Sequence, residues 1–383
     1  MVPSLLDRLL LRETLVPLGV GLLAILQLLV LAQLLQLNEV VFGAAVTPGD
    51  LVRVTLGLAP HFLVMAVPLA FMLGLQLALG RLAADREVLA LSAAGLSPLA
   101  LYRVPLLLAC ALGLATAGLA RWAEPWGLSE LNRALNGVIK RNLGSGLKPG
   151  IFNTGLPRYM VYVSSIDEPA AGAGTSQEFG QAVWRGVLIE DAVGDGQSPM
   201  LALAETGRIS DAGGDQLSLE LLHGELHRRE PAGETLARFR EARFLIGVEE
   251  RVSRTNKFAG SEAQLPAAEL EARAARMEAQ GRRQEAGRLR LERFRRIAVP
   301  LACVAFALLG VPLALIAGGV RGAAYLVTLG AFVAFYSLSR LGVALADAHF
   351  PPVLAAFVPD GAVAALGAWF TARLLRRGVE QPR

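Results

Sequence analysis

Long apolar windows, separated by short charged segments, set the pattern of this sequence. Three of them precede residue 124 and three follow residue 296, and most of the charged residues lie between the two groups. A helix needs about 20 mainly apolar residues to cross the hydrocarbon core of a bilayer. The pattern therefore predicts six transmembrane helices, at 14–38, 53–81, 103–122, 297–320, 322–346 and 351–372.

These windows divide the chain into predicted regions. Residues 1–124 hold the first three spans, with a cytoplasmic helix at about 81–98. Residues 125–265 form an insert, and residues 297–383 hold the last three spans and a tail. Between them, residues 266–296 are rich in Ala, Glu, Arg and Leu, which predicts one charged helix with a solvated face.

The insert has the pattern of β-structure. Residues 160–166 alternate between apolar and polar side chains, as a half-buried strand does. Four more runs of strand length follow, and short segments rich in Gly, Asp and Pro separate them. Short strands at this spacing favour a sandwich or jelly roll. The predicted later strands are 183–191, 201–211, 216–229 and 235–248, with turns at 194–196, 212–215 and 230–233.

Basic residues are distributed unequally between the short loops. The loops at 38–52 and 346–352 contain Glu39, Asp50 and Asp347 but no Lys or Arg. Short loops rich in Lys and Arg stay in the cytoplasm. Both termini are therefore predicted to be cytoplasmic, and the insert lies on the far side, which is the periplasm in a bacterium. The basic residues on the cytoplasmic side are Arg8, Arg12, Arg81, Arg86, Arg103, Arg321, Arg373, Arg376, Arg377 and Arg383.

Composition and missing motifs narrow the function. Of the 383 residues, 54% are hydrophobic and 18% are charged, against about 25% charged in a soluble chain. The net charge of +4 is explained by membrane topology, so a nucleic-acid partner is not predicted. Cys110 and Cys303 lie in apolar windows and are expected to be buried. His223 and His227 lie four apart in a segment that predicts a strand, so neither a metal site nor another cofactor is predicted.

The sequence also lacks the phosphate-binding motif GxxxxGK[ST] and the hydrolase motifs HExxH and GxSxG. An enzyme is therefore disfavoured. The pattern indicates a membrane component that works with a partner supplying energy.

The loop at 80–98 carries the strongest functional signal. Leu82, Leu89 and Leu96 are predicted to lie on one helical stripe, with charged residues beside them. Gly95 suits a helix C-cap, and Ser97 followed by Pro98 suits a new N-terminus. A short amphipathic helix at the cytoplasmic face is expected to dock on a nucleotide-hydrolysing subunit. An ordinary interfacial helix is the alternative.

Five sequence motifs, in this order, resemble the LptF/LptG permeases of the lipopolysaccharide-export ABC transporter. The resemblance covers essentially the whole chain, and the details near Arg295 and Leu309 resemble the F-type subunit more than the G-type. The motifs lie at Leu10–Thr14, Leu79–Leu82 with Glu87–Ser97, Gly150–Phe152 with Val161–Val163, Arg295–Pro300 and Leu309–Leu313.

The resemblance implies a fold, a function and partners. The fold is an α-helical polytopic membrane protein with six spans and an inserted all-β periplasmic jelly roll. F-type and G-type (LptG-like) permeases pair on a dimer of a separate LptB-like ATPase in the inner membrane. They extract lipopolysaccharide and pass it to a periplasmic LptC/LptA-like bridge. The implied ATPase-coupling residues are Arg81, Asp85, Arg86, Glu87, Leu89 and Gly95.

The predicted lipid contacts depend partly on one difference between this sequence and the family. F-type relatives can carry basic residues near the outer end of the first span, but residues 31–39 contain none here. Arg53 and Arg340 are the alternative phosphate ligands, unless they are simple interfacial anchors. Inside the jelly roll, acyl chains are expected to contact a set of apolar residues, unless these form a closed core: Val161, Val163, Val187, Ile189 and Phe244.

Three other interpretations stay open. In the first, the chain is a G-type paralogue of the same complex. In the second, it relays movement in a complex without itself carrying lipid. The third is a secondary transporter. A secondary transporter needs ionisable groups within the membrane. Asp360 is the clear acid inside a span, although the two three-span halves share no similarity.

Overall fold

The computed structural model describes most of the chain, in eleven segments. By backbone contacts the chain divides into two compact units, 1–33 with 55–129 and 261–383, and 34–54 with 130–260. Several residues used above lie outside the described residues, namely Glu39, Arg321, Arg383 and the turns at 194–196, 214–215 and 231–232. The described segments are 5–37, 46–145, 148–153, 159–167, 182–191, 200–213, 216–230, 233–247, 261–317, 322–348 and 350–377.

Six helices among the described residues are long and apolar enough to cross a membrane, which confirms the predicted number. Five of the six predicted windows coincide closely with helices. The helices are α1 (Leu5–Gln36), α2 (Pro48–Ala84), α3 (Glu87–Ala93), α4 (Arg103–Gly118), α5 (Glu124–Ser145), α6 (Ala267–Ala279), α7 (Arg283–Ala317), α8 (Ala323–Asp347) and α9 (Pro352–Arg377).

The third predicted span is part of a longer helix. A π-helical turn at Leu119–Ala123 joins α4 to α5, so the helix continues to Ser145. The strands of the insert therefore follow a helix, and the start of the insert at 125 stays a prediction. Buried Leu128, Leu131 and Leu135 recur at three- and four-residue spacing among polar residues. This is an amphipathic pattern, and a search for purely apolar windows does not detect it.

The predicted charged helix at 266–296 is two helices. Gly281 adopts a φ of 78° between α6 and α7, and the N–H of Arg282 donates to the carbonyl of Met277 at 2.9 Å, which ends α6. Their facing sides bury Leu270 and Ala286. The charges are not only solvated, since the two helices exchange ion pairs: Arg290 with Glu271 and Glu278, and Arg293 with Glu271.

Small residues allow close approach of the transmembrane helices, as is usual in membranes. A Cβ atom at Gly74 would lie 2.9 Å from the carbonyl oxygen of Thr14 on α1, and one at Gly367 would lie 2.6 Å from the backbone of Leu308 on α7. The side chain of Gln76 donates to the carbonyl of Gly310 at 2.8 Å and so joins α2 to α7. The buried core therefore centres on α2 and α7.

Gly342 offers a test of this packing. A Cβ atom there would lie 2.5 Å from the carbonyl oxygen of Ala355 on α9. That carbonyl has no i+4 donor because residue 359 is proline. We expect Gly342→Ala to destabilise the protein by about 1–3 kcal/mol through overpacking. Thermal melting in detergent measures this.

The matched control is Gly330→Ala on the same helix, where a new Cβ atom meets nothing within 4 Å. This variant should be neutral or slightly stabilising, since Ala favours helix over Gly. Equal melting temperatures for the two variants would contradict close packing of α8 on α9.

The insert contains one antiparallel sheet of six strands in sequential order. All five predicted strands are confirmed, with ends that differ by at most two residues, and a short first strand is added. The jelly roll itself is not confirmed by this pairing and stays a prediction. The strands are β1 (Phe152–Asn153), β2 (Tyr159–Asp167), β3 (Val183–Asp191), β4 (Met200–Gly213), β5 (Gln216–Glu230) and β6 (Gly233–Gly247).

One row of residues, the crease row, interrupts pairing across the sheet. Gly186 and His223 in this row have φ values of 59° and 52°. In β3, buried Trp184 lies on one side of the row and buried Val187 on the other, three positions apart. Neighbouring strand residues alternate between the two faces of a sheet, so residues three positions apart normally lie on opposite faces. Because both are buried here, the buried face of the sheet switches sides at this row. The crease row consists of Ser164, Gly186, Glu205, His223 and Arg240.

Glu220 on β5 links three strands. Its carboxylate accepts hydrogen bonds from Arg208 on β4 at 2.6 Å and from Arg243 on β6 at 2.8 Å. The hydrogen bond from Arg208, with the charges of both guanidinium groups, holds the pKa of Glu220 below its usual value. A lowered pKa stabilises the folded state at neutral pH, and this stabilisation is lost as pH falls through the folded-state pKa.

We therefore expect Glu220→Gln to lower the free energy of unfolding by about 0.5–1 kcal/mol at pH 7. The difference from the wild type should shrink below about pH 4, where the wild-type carboxylate takes up protons. Denaturant titrations at pH 7 and pH 3 measure it. Glu241→Gln is the control, because that side chain is 62% exposed and 3.9 Å from Arg243. A pH-independent difference would contradict the ionic contribution.

Candidate functional site

The predicted cytoplasmic helix at 81–98 is interrupted. α2 continues through Arg81 to Ala84, and Arg86 adopts a φ of 59° before α3 begins at Glu87. The single stripe of Leu82, Leu89 and Leu96 is therefore wrong. Leu82 is buried on α2, whereas Leu89 and Leu96 are 47% and 41% exposed. The left-handed residue at Arg86 rotates α3 away from the register of α2.

The two predicted caps are confirmed. Gly95 has a φ of 87°, its N–H donates to the carbonyl of Ser92, and the N–H of Leu96 donates to the carbonyl of Leu91, both at 3.0 Å. This pair of bonds is a Schellman motif. The hydroxyl oxygen of Ser97 accepts from the N–H of Leu99 at 3.3 Å and caps the next turn. The loop therefore has a defined shape on both sides of Gly95.

One buried side chain fixes α3 to the helical core. Val88 is 2% exposed and belongs to the cluster that also holds Leu82, Leu101 and Leu315. The residues around Val88 face outward and form the coupling surface. The coupling surface consists of Asp85, Arg86, Glu87, Leu89, Gly95 and Leu96, all exposed.

Charged residues near the coupling surface differ in whether they form ion pairs. Arg81 contacts Glu13 on α1 at 3.1 Å and Asp85 at 3.8 Å, so it ties α2 to α1. The carboxylate of Glu87 has no ion-pair partner among the residues that the structure describes. Glu87 is therefore an exposed acid available to an external cation.

Arg340 does not pair with Asp347, although the two residues lie on the same helix. Asp347 accepts two hydrogen bonds from Arg288 on α7, at 2.7 and 2.9 Å. Arg288 lies 59 residues away, so local sequence gives no sign of this pair. Arg340 is exposed on α8, and no carboxylate in the described ranges forms an ion pair with it.

Arg53 is also exposed, near the start of α2. No ion pair of its guanidinium with another described residue is present. Its neighbour Asp50 is engaged in a reciprocal cap with Thr47 and in an ion pair with Arg141 on α5. Arg53 and Arg340 belong to different compact units, so each is a candidate anion ligand by itself.

Four of the five predicted acyl-chain contacts lie together on the sheet. Val161 pairs with Ile189 and Val163 pairs with Val187, and all four are at most 1% exposed. Phe244 on β6 is half-buried and pairs with Leu219 on β5, away from the other four residues. Both the acyl-chain and closed-core interpretations place these residues inside, so their burial does not decide between them.

The comparison with known families is decisive for identity. A model of the family described as "Lipopolysaccharide export system permease LptF/LptG" matches residues 8–375. The chain belongs to the LptF/LptG permease family. The match covers both groups of spans and the sheet between them.

Two curated relatives are both named LptF. The proteins of Escherichia coli (strain K12) and Shigella flexneri are each 36% identical over 166 residues, which is 42% of this chain. The aligned part spans only 44% of the length of each relative. Their names agree with the F-type assignment expected from the sequence.

The structure of this LptF/LptG family member also contains a polar cluster that sequence reasoning missed. The Nδ1 atom of His61 on α2 lies 2.7 Å from the Glu124 carboxylate at the start of α5, and Glu124 is 3% exposed. Arg295 on α7 donates two hydrogen bonds to Glu292, at 2.8 and 3.0 Å. The polar cluster consists of His61, Glu124, Glu292, Arg295 and Arg296, which line one small cavity.

A histidine inside the second apolar window and an acid just after the third were the available signals for this cluster. The sequence does not indicate that residues 61 and 124 meet, since they lie 63 positions apart. Asp360, an acid in the last candidate membrane helix, is 8% exposed. Its two carboxylate oxygens have no hydrogen-bond partner in the part of the chain that the structure describes.

Proposed function

We propose that this chain is a transmembrane permease subunit of an ABC transporter that extracts lipopolysaccharide from the inner membrane. In this proposal it passes the lipid to a periplasmic bridge toward the outer membrane. The observation that carries the proposal is the family match over residues 8–375. Six candidate membrane helices support a role within the bilayer.

Energy for transport comes, in this proposal, from a separate ATPase dimer. The chain has no GxxxxGK[ST] motif, so we propose that it is a transport subunit without nucleotide hydrolysis of its own. The coupling surface is the proposed contact with the ATPase. The support is physical: Val88 holds α3 against the core, while Glu87 and Leu89 face outward.

A second permease of the G-type is the proposed neighbour in the membrane. Only 11% of the apolar window of α1 and of α8 is buried within the chain, against 72% for α2 and 67% for α7. The exposed apolar faces of α1 and α8 are therefore available to another helical subunit or to lipid. We assign the F-type role to this chain because the two curated relatives reported above are named LptF.

The insert is proposed to lie in the periplasm, with both termini in the cytoplasm. The support is the excess of Arg in the loops around 81–103 and after 372. We propose that the sheet closes into the jelly roll typical of the family and receives acyl chains on its buried face. The parity change at the crease row supports a sheet that bends there.

Copurification tests the proposal. The chain is produced with an LptB-like ATPase and an LptG-like permease in a bacterium that makes lipopolysaccharide, and is isolated through its own tag. We expect all three proteins and lipopolysaccharide in one complex. An unrelated six-span protein with the same tag is the control. A complex with the ATPase but with no more lipopolysaccharide than the control would overturn the substrate assignment.

A further inference from the structure

The polar cluster joins three long helices and the short segment at 261–265. His61 belongs to α2, Glu124 to α5, and Glu292 to α7. Arg296, also on α7, donates through Nη2 to the carbonyls of Ala263 and Leu265, at 2.8 and 2.7 Å. Residues 261–265 are the first described after the sheet. The cluster is therefore a contact point of four separate stretches of chain.

A π-helical turn places Glu124 in this cluster. The turn at Leu119–Ala123 directly precedes Glu124. A π turn inserts one extra residue and so changes the facing of every later residue, and such turns occur often at functional sites. Here the later residues include a carboxylate that is 3% exposed and bonded to His61.

The cluster lies far from the coupling surface along the helices. At 1.5 Å per residue, Glu124 is about 31 Å from the start of α4 at Arg103, and Arg296 is about 31 Å from the end of α7 at Ala317. This length is close to the ~30 Å thickness of a hydrocarbon core. In the proposed topology, the cluster is therefore at the outer end of the spans.

Arg296 is incompletely bonded within the protein. Its side chain is 6% exposed, and its Nε and Nη1 atoms have no hydrogen-bond partner among the described residues. Both belong to a side chain that lines the small cavity. A buried charged group without hydrogen bonds is costly, so these N–H groups require an acceptor.

The size of the cavity selects that acceptor. It measures about 10 Å³, which is close to the minimum for one water molecule. The carboxylates of Glu124 and Glu292 also line it and provide acceptors for the water. A phosphate or a lipid headgroup is too large for this space.

We propose that the polar cluster binds one water molecule and makes α2, α5, α7 and residues 261–265 move as one body during transport. Arg296 is the positioning residue, because it contacts the returning chain and the cavity at once. The water accepts from Arg296 and donates to a carboxylate. This inference rests on the proposed transport function, since it concerns how movement at the coupling surface is delivered to the outer end.

The water is tested directly by a high-resolution density map of the assembled complex. We expect one peak in the cavity, within hydrogen-bond distance of Nε or Nη1 of Arg296 and of a carboxylate oxygen. Met72, two turns along α2 from the cavity residue Met65 and 0% exposed, marks a dry reference site. A cavity as empty of density as the surroundings of Met72 would overturn the water site.

The positioning role is tested by a charge-balanced pair of substitutions, Glu124→Gln with Arg296→Met. Removing one acid and one base together leaves the net charge of the cluster unchanged, so complex yield and melting temperature should stay near wild type. We expect the amount of lipopolysaccharide released per ATP hydrolysed to fall at least threefold. Unchanged release per ATP at wild-type yield would overturn the role.

Arg296→Lys is the second variant, in case the pair does not assemble. Lys keeps the charge but lacks the planar fork that reaches two carbonyls and the cavity, so the same fall is expected and full coupling would overturn the role. Arg293→Met is the control, since Arg293 lies on the same helix but pairs with Glu271 outside the cluster. If the wild type and this control release no lipid, the transport proposal fails, whereas full coupling in the cluster variants alone refutes the positioning role.

Discussion

Replacement of Glu87 by alanine is expected to weaken association with the ATPase by roughly ten- to a hundredfold. A hydrogen bond to a charged group contributes about 1.5–3 kcal/mol, and each 1.4 kcal/mol is about a tenfold change. Glu87 is exposed and free of ion pairs among the described residues, so the loss falls on the contact with the partner. Binding of the purified permease pair to the ATPase measures it.

The fold should survive this substitution. Val88, not Glu87, is buried in the helical core, and the caps of α3 use backbone groups. Glu269→Ala is a matched control, because Glu269 also lies in the first turn of a helix but is remote in sequence from the coupling surface. It removes the same favourable interaction with the helix N-terminus. Equal ATPase affinity for the two variants would contradict the coupling role.

Replacement of Arg340 by alanine is expected to reduce lipopolysaccharide loading about tenfold. A guanidinium can make two parallel bonds to a phosphate, and the loss of one charge-assisted contact accounts for a factor of this size. Arg340 lies about 25 Å along α8 from Ala323, near the outer headgroup level of the proposed topology. Asp347 does not compete for it, because Arg288 occupies that carboxylate.

Arg340→Lys distinguishes this role from interfacial anchoring. Lysine keeps the charge without the fork, so loading should lie between those of the wild type and the alanine variant. Arg376 is exposed near the C-terminal end of α9, on the proposed cytoplasmic side. The Arg376→Ala variant should therefore load lipopolysaccharide normally. If the alanine and lysine variants both load like wild type, Arg340 is an anchor and not a phosphate ligand.

Periodic patterns in the sequence predicted most of the fold. Strands β2 to β6 differ from their predicted bounds by at most a few residues, because alternation is a local signal. Five spans coincide with apolar windows, because a long run of apolar residues is also a local signal. The helix of the third span extends beyond its apolar window because α5 is amphipathic, with polar residues between Leu128 and Leu131.

Interruptions of helices were predicted less well. The break at Arg86 depends on a left-handed conformation in a residue other than glycine, which composition does not signal. Gly281 was visible in the sequence, yet the surrounding residues all favour helix. By contrast, Gly95 was recognised as a cap because Ser97 and Pro98 follow it.

The candidate sites also differ in whether their residues are close together in the sequence. The residues proposed for the coupling surface lie in one contiguous motif, so the sequence predicts them together. The pairs His61 with Glu124 and Arg288 with Asp347 join distant helices. Such pairs depend on helix packing and on the π turn before Glu124, which one sequence does not encode in any local pattern.

In the proposed function, this chain carries lipopolysaccharide and a separate ATPase supplies the energy. The most direct measurement is ATP-dependent transfer of lipopolysaccharide from liposomes, containing this chain with its paired permease and ATPase, to a soluble bridge protein. We expect transfer that requires ATP, stops when this chain is omitted and falls when it carries Glu87→Ala. Transfer that persists without this chain, or none from the complete complex while it hydrolyses ATP, would contradict the proposed function.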